Sequence, residues 1–196
     1  LGRALKKNFK GHEPLRQMLV NRAPKFGNDD PEADVIARDI NRFFSEYVIT
    51  KTSPKTGRRF RSGYLSWNYW ILYAAQTAAT PDGRKRGTYL SNGVCPTTGA
   101  DHRGPVSVAR SVHNLDLEVV PNGGSHTISF NPQMARTEKG RQNLKAFLKA
   151  YGQQGGSALQ INMIDPQTLK DAQQRPDQYR NLLVRVTGYN AYFTTL

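Results

Sequence analysis

The chain of 196 residues carries 28 Lys and Arg against 15 Asp and Glu, a formal charge of +13 at neutral pH, with a mean hydropathy of −0.65. That length is one domain or most of one, and 37% apolar residues with 17 Gly and 11 Pro describe a loop-rich globular chain rather than a disordered one. A single Cys excludes an intrachain disulfide framework and Cys-rich zinc or iron–sulfur sites, and no run approaches the ~20 apolar residues of a helical membrane span or has the pattern of a secretory leader, so a soluble, cytoplasmic protein is expected.

In chain order, Leu15, Met18 and Leu19 share one side of a helix expected over residues 13–21, after which Pro24, Gly27 and Asn28 turn the chain. Asp30 has the form of an N-cap, with Pro31 at the first helical position and Glu32 in the first turn. Ile36, Ile40, Phe43, Phe44 and Tyr47 then recur at helical spacing and predict a helix to about Val48, with that stripe facing the core. Residues 50–57 are polar and read as a surface loop. The aromatic-dense stretch 64–73 fits either a strand or a buried helix.

Thr80-Pro-Asp-Gly is a turn by composition, and Gly and Pro punctuate the chain as far as Gly104-Pro105. A short helix is expected from Pro105, carrying Val106, Ala109, Val112 and Leu115. Asn122-Gly-Gly turns the chain into a strand over 125–131, where His126, Ile128 and Phe130 alternate with polar residues. Leu144, Phe147, Leu148 and Tyr151 define the next helix, ending at Gly152, and Leu159, Ile161 and Met163 alternate in a second strand. Pro166 opens a helix to Gln174, 182–186 reads as a buried strand, and the run from Asn190 to Thr195 is strand-like. Strands alternating with helices give an α/β class, with crossovers long enough for parallel pairing.

Conventional chemistry is sparse. His12, His102, His113 and His126 lack metal-ligand spacing, so each is expected to be exposed or internally satisfied, and no metal site is expected. Cys95 has no base or second thiol nearby in sequence and reads as a small buried hydrophobe. The basic runs Lys51, Lys55, Arg58, Arg59, Arg61 and Arg84, Lys85, Arg86 raise nucleic-acid binding, but no helix-turn-helix, zinc-finger or RNA-recognition pattern accompanies them. They read as solvated loops, or as a surface that meets further chain.

Leu183-Val-Arg-Val-Thr-Gly-Tyr-Asn-Ala-Tyr-Phe resembles the C-terminal signature of the glycyl radical enzymes, the family of pyruvate formate-lyase and the radical dehydratases, lyases and decarboxylases. Asp165-Pro-Gln-Thr-Leu-Lys-Asp-Ala-Gln with Pro176-Asp-Gln-Tyr-Arg resembles the approach to the family's radical loop. Gly99-Ala-Asp-His-Arg-Gly-Pro, Thr80-Pro-Asp-Gly-Arg and Ala23-Pro-Lys-Phe-Gly-Asn-Asp-Asp-Pro resemble family segments farther upstream. By itself Gly188 reads as a turn glycine. Yet only glycine offers a second α-hydrogen and no Cβ to crowd a planar, amide-flanked Cα radical.

The resemblance implies that the chain is the C-terminal part of the family's α/β barrel, with the radical loop near its end. Residues 1–79 would belong to the pyruvate formate-lyase-like barrel domain and 80–196 to the glycine radical domain, lacking its last short stretch. Gly188 would store the radical, with Arg185, Val186, Thr187 and Tyr189 forming the loop around it. No cofactor would be bound. An S-adenosylmethionine-dependent iron–sulfur activating enzyme would install the radical, and the remainder of the parent chain would supply the thiyl cysteine, because Cys95 does not match that cysteine's motif. The family's small organic substrates and homodimeric state are expected too, and the fragment alone is expected to be inactive.

Tyr64 and Trp67, in the aromatic stretch, are expected to line a substrate pocket, which leans the reading towards an arylacetate decarboxylase. The alternatives are a radical dehydratase or another C–X lyase, a formate acetyltransferase, a fumarate-adding synthase, a free-standing radical spare part and a basic nucleic-acid-binding module.

Overall fold

A computed structural model describes residues 1–185 and 190–196. Helices α1 (Gly2–Lys6) and α2 (Glu13–Arg22) open the chain and close a small cluster of Ala4, Phe9 and Ala79, against which Leu15 and Leu19 pack. Helix α3 (Pro31–Ile49) starts as its sequence dictates: the Asp30 carboxylate accepts the Glu32 N–H at 3.1 Å and Pro31 sits in the first turn.

The faces of α3 are inverted relative to the sequence expectation. Ile36, Ile40, Phe43, Phe44 and Tyr47 are all exposed, Phe43 to 74%, while Asp34, Asn41 and Ser45 are buried. The reason lies some 70 residues away in the chain. Residues 114–116 leave helix α5 (Pro105–His113) irregularly, with Asp116 at φ 58°, and buried carbonyls there need donors.

Asn41 Nδ2 donates to the Leu115 carbonyl at 2.7 Å and to that of Asp116 at 3.3 Å. Its Oδ1 accepts from the Tyr64 hydroxyl at 2.9 Å. Asn114 donates to Asp34 at 2.9 Å, and Arg42 Nε to Asp116 at 2.7 Å. Hydrophobic periodicity marks an apolar face without specifying what covers it.

The ambiguous aromatic stretch divides in two. Tyr64 forms a parallel bridge to Gly124, and α4 (Tyr69–Gln76) follows. The main core comprises Val94, Val108, Val112, Leu115, Leu117 and Val120. Val106, in the first turn of α5, is exposed. Strands β1 (Ser125–Ser129) and β2 (Ala158–Asn162) pair in parallel, Ser125 opposite Ala158 and Ser129 opposite Asn162. Between them in the chain run α6 (Gln133–Arg136) and α7 (Glu138–Gln153), and the Phe147 ring of α7 meets Phe130 edge-on at 5.1 Å.

Helix α8 (Pro166–Gln174) begins where expected, its Asp165 cap accepting the Gln167 N–H at 3.0 Å. A hairpin of β3 (Leu183–Arg185) and β4 (Asn190–Tyr192) follows, antiparallel, with Arg185 opposite Asn190. The expected buried strand is therefore half of a hairpin whose Leu183 is exposed; Val186, its last expected residue, lies outside the described residues. Among the described residues the sheets are two pairs of strands, so α/β content and parallel pairing are present but no barrel closes, since closure needs a full ring of strands. No described helix is long and apolar enough to cross a membrane.

The inverted α3 sets a direct contrast. Asn41→Leu strands the Leu115 carbonyl and is expected to cost about 1–3 kcal/mol. Phe43→Ser, on the face expected to be core, is expected to shift stability by less than about 0.5 kcal/mol. Denaturant unfolding of the two variants measures both.

Candidate functional site

Two segments singled out in the sequence meet at Asn28, which is buried. Its Nδ2 donates to the Ala100 carbonyl at 2.8 Å, and its Oδ1 accepts the backbone N–H of His102 at 2.9 Å and of Arg103 at 3.2 Å. The Thr80-Pro-Asp-Gly-Arg turn closes by a different device. Arg84, assigned from sequence to a solvated basic run, is buried, and its guanidinium donates to the carbonyls of Ala78 at 2.5 Å, Thr88 at 2.6 Å and Lys85 at 3.2 Å. The neighbouring Lys85 lies 3.4 Å from Glu13, whose carboxyl is held down at about 2, chiefly by its bond from Arg16.

Cys95 lies alongside β1. Val94 donates its N–H to the Ser125 carbonyl at 3.0 Å, and Cys95 Sγ accepts the Thr127 N–H at 3.2 Å. Gly93 makes this approach possible, since a Cβ there would fall 2.2 Å from the Ser125 oxygen. Burial pushes the Cys95 thiol upward, which keeps it protonated and a poor nucleophile at neutral pH.

Beneath the sheet, His126 is fully buried, and neither ring nitrogen meets a partner among the described residues. This corrects the expectation of an exposed or satisfied histidine. Its ring packs against Tyr151 at 5.6 Å, and burial lowers its pKa to about 4. The Tyr151 phenol, also without a partner among the described residues, is pushed up to about 12 by burial and by nearby Cys95.

Of the sequence-selected pocket residues, Tyr64 lines an open, mainly apolar cleft of about 620 Å³ with Phe26, Ala37, Ile40, Asn41 and Cys95. Burial raises its phenol pKa. Trp67 is exposed, at φ 44°, and does not line that cleft. Of the expected radical loop, Arg185 is described; Val186, Thr187, Gly188 and Tyr189 lie outside the described residues.

The flanks of that stretch are tied together. Arg185 Nη1 donates to Asn190 Oδ1 at 3.4 Å. Gln160 Nε2, on β2, donates to the Arg185 carbonyl at 3.3 Å and to Asn162 Oδ1 at 3.5 Å. Sequence reasoning missed Gln160, because an outward-facing Gln on an alternating strand carries no signal of a contact 25 residues on. Among the described residues no three His, Cys, Asp or Glu side chains converge as a metal-binding group.

The family model for the glycine radical domain matches residues 90–194, and that for pyruvate formate lyase-like proteins matches residues 1–74. The chain belongs to the glycyl radical enzyme family. It is 38% identical, over its whole length, to the probable dehydratase YbiW of Escherichia coli strain K12, covering 25% of that protein. Over 88% of its length it is 34% identical to the indoleacetate decarboxylase of Tractidigestivibacter scatoligenes, covering 20% of it. Among solved structures it matches the glycerol-bound B12-independent glycerol dehydratase of Clostridium butyricum, with a TM-score of 0.91, 37% identity, and coverage of 99% of this chain and 24% of that one. The chain thus spans about a quarter of the length of the curated relatives it matches.

Buried His126 yields a pH prediction. Its folded pKa of about 4 lies below the unfolded value of about 6.5, so the unfolded state binds the extra proton between them. Stability from this residue is complete above about pH 6.5 and is lost as pH falls towards 4, by about 3 kcal/mol in all. The slope of unfolding free energy against pH over that window should flatten in His126→Leu.

Proposed function

We propose that this chain is the radical-storing C-terminal portion of a glycyl radical lyase, with Gly188 as the storage residue. The observation that carries the reading is the glycine radical match over 90–194, within which Arg185-Val-Thr-Gly-Tyr holds the signature glycine. In this reading residues 1–79 belong to the larger pyruvate formate-lyase-like domain and 80–196 to the radical domain. The bare apolar face of α3 supports it, because exposed apolar surface of that extent is characteristic of an interface. The parent chain is the cover proposed for it.

The chemistry balances in single hydrogen-atom steps. A carbon radical, generated on a separate iron–sulfur activating enzyme by reductive cleavage of S-adenosylmethionine, takes one α-hydrogen from Gly188 and becomes 5′-deoxyadenosine. The glycyl radical takes the hydrogen of a cysteine thiol in the parent chain, leaving a thiyl, and the thiyl takes one from substrate. After rearrangement the product radical recovers a hydrogen from the thiol, and the thiyl recovers one from Gly188. Arg185 and Tyr189, with Val186 and Thr187, flank the radical carbon, and Tyr64 contributes to an apolar cleft on the same chain.

For the reaction itself, elimination from a small hydroxylated or otherwise substituted substrate and decarboxylation of an arylacetate draw equal support, since relatives of both kinds match. An oxygen-sensitive radical fits an anaerobic cytoplasm, and a homodimeric parent is part of the same proposal.

Anaerobic activation of the parent enzyme should give a doublet electron paramagnetic resonance signal, and air exposure should then cut the chain at Gly188. Gly188→Ala should abolish both while the fold persists; a surviving doublet or cleavage elsewhere would overturn the assignment. Cys95→Ser should keep most turnover, because its Sγ serves the edge of β1. Loss of substrate hydrogen exchange with an intact doublet would instead give Cys95 the thiyl role.

A further inference from the structure

The hairpin that carries the radical segment is short. Three residue pairs join β3 to β4, and an isolated two-stranded hairpin is marginal in water. The Phe193 N–H adds one bond to the Leu182 carbonyl at 2.8 Å. None of these bonds fixes the hairpin to the parallel pair, and β3 and β4 form a separate sheet from β1 and β2.

Gln160 bridges the two sheets. It sits near the centre of β2, opposite Thr127 of β1, so its backbone is held in a ladder that the core supports. Its amide nitrogen reaches the Arg185 carbonyl, the last described group before Val186, and a second bond to Asn162 Oδ1 orients the amide. On the far side of the four intervening residues, Asn190 pairs with Arg185 in the ladder and accepts its guanidinium. Both flanks of the sequence containing Gly188 are therefore referred to one point on β2.

We propose that Gln160 is a positioning residue for the radical segment, fixing the Arg185 backbone from which the sequence holding Gly188 begins. The proposal rests on the reading of Gly188 as the storage residue. The bond is made to a backbone carbonyl, so it constrains the chain itself and is independent of the Arg185 side chain. A residue of Gln length is needed: Ala removes the reach, and Glu keeps the reach but replaces the NH₂ donor with a second oxygen that repels the carbonyl.

The test uses the complete parent enzyme with Gln160→Ala and Gln160→Glu. Before activation, amide hydrogen exchange of residues 183–185 and 190–192 should speed up about fivefold in both variants, the ratio that corresponds to loss of one hydrogen bond of about 1 kcal/mol at 1.4 kcal/mol per decade. After anaerobic activation, spins per chain or the anaerobic lifetime of the doublet should fall by a similar factor, while the substrate KM holds. A merely structural role would lower the melting temperature and leave spin yield and lifetime in the folded fraction unchanged, which would overturn the proposal. Unaltered exchange in both variants would do the same. If Gln160→Ala fails to fold, Gln160→Glu decides. Absence of a doublet in the unsubstituted enzyme would overturn the storage assignment and the tether with it, whereas a normal doublet in both variants overturns the tether alone.

Discussion

One buried amide holds together parts of the chain that are remote in sequence. Asn41 donates to the carbonyls of Leu115 and Asp116 and accepts from Tyr64. It thereby fixes the irregular exit of α5, and with it the cluster of Val108, Val112, Leu115 and Leu117. Val94 of the same cluster donates to Ser125, the first residue of β1. The ladder passes that constraint to β2, and Gln160 passes it to Arg185. These contacts lead from α3 as far as Arg185, the last described residue before the sequence proposed to hold the radical.

Polar burial in this molecule is of two kinds. Asn28, Asn41 and Arg84 are buried with backbone partners, and each closes a turn or segment that has no ladder of its own. Such groups confer specificity because their removal leaves carbonyls unsatisfied. His126 and Tyr151 are buried against each other without such partners among the described residues. Their uncharged forms are the ones the fold stabilises, so protonation of His126 makes this part of the molecule sensitive to acid, while ionisation of Tyr151 makes it sensitive to strong alkali.

The large positive charge also separates into distinct uses. Arg84 is an internal strut, Lys51 lies over the Tyr47 ring at 4.2 Å, and Arg42 and Arg110 pair with Asp116 and Asp29. A formal charge summed over the sequence treats these alike. Their environments do not, and the case for a nucleic-acid surface weakens once Arg84 is taken out of it.

Sequence alone determined what local chemistry governs. The caps of α3 and α8 are carboxylates two residues from the N–H they accept, and β1 alternates in burial as a half-buried strand does, whereas β2, alternating in sequence, is evenly half-buried past its first residue. The family signature was legible as well, because it is a run of residue identities. What only the tertiary structure decided was which surfaces meet. Asn41 and its carbonyl partner are 74 residues apart, Gln160 and Arg185 are 25, and no periodicity encodes either pairing. The apolar stripe of α3 shows why: 3.6-residue spacing creates a face by geometry, but burial of that face requires a partner, and in this chain the irregular carbonyls of residues 114–116 claim the polar side instead.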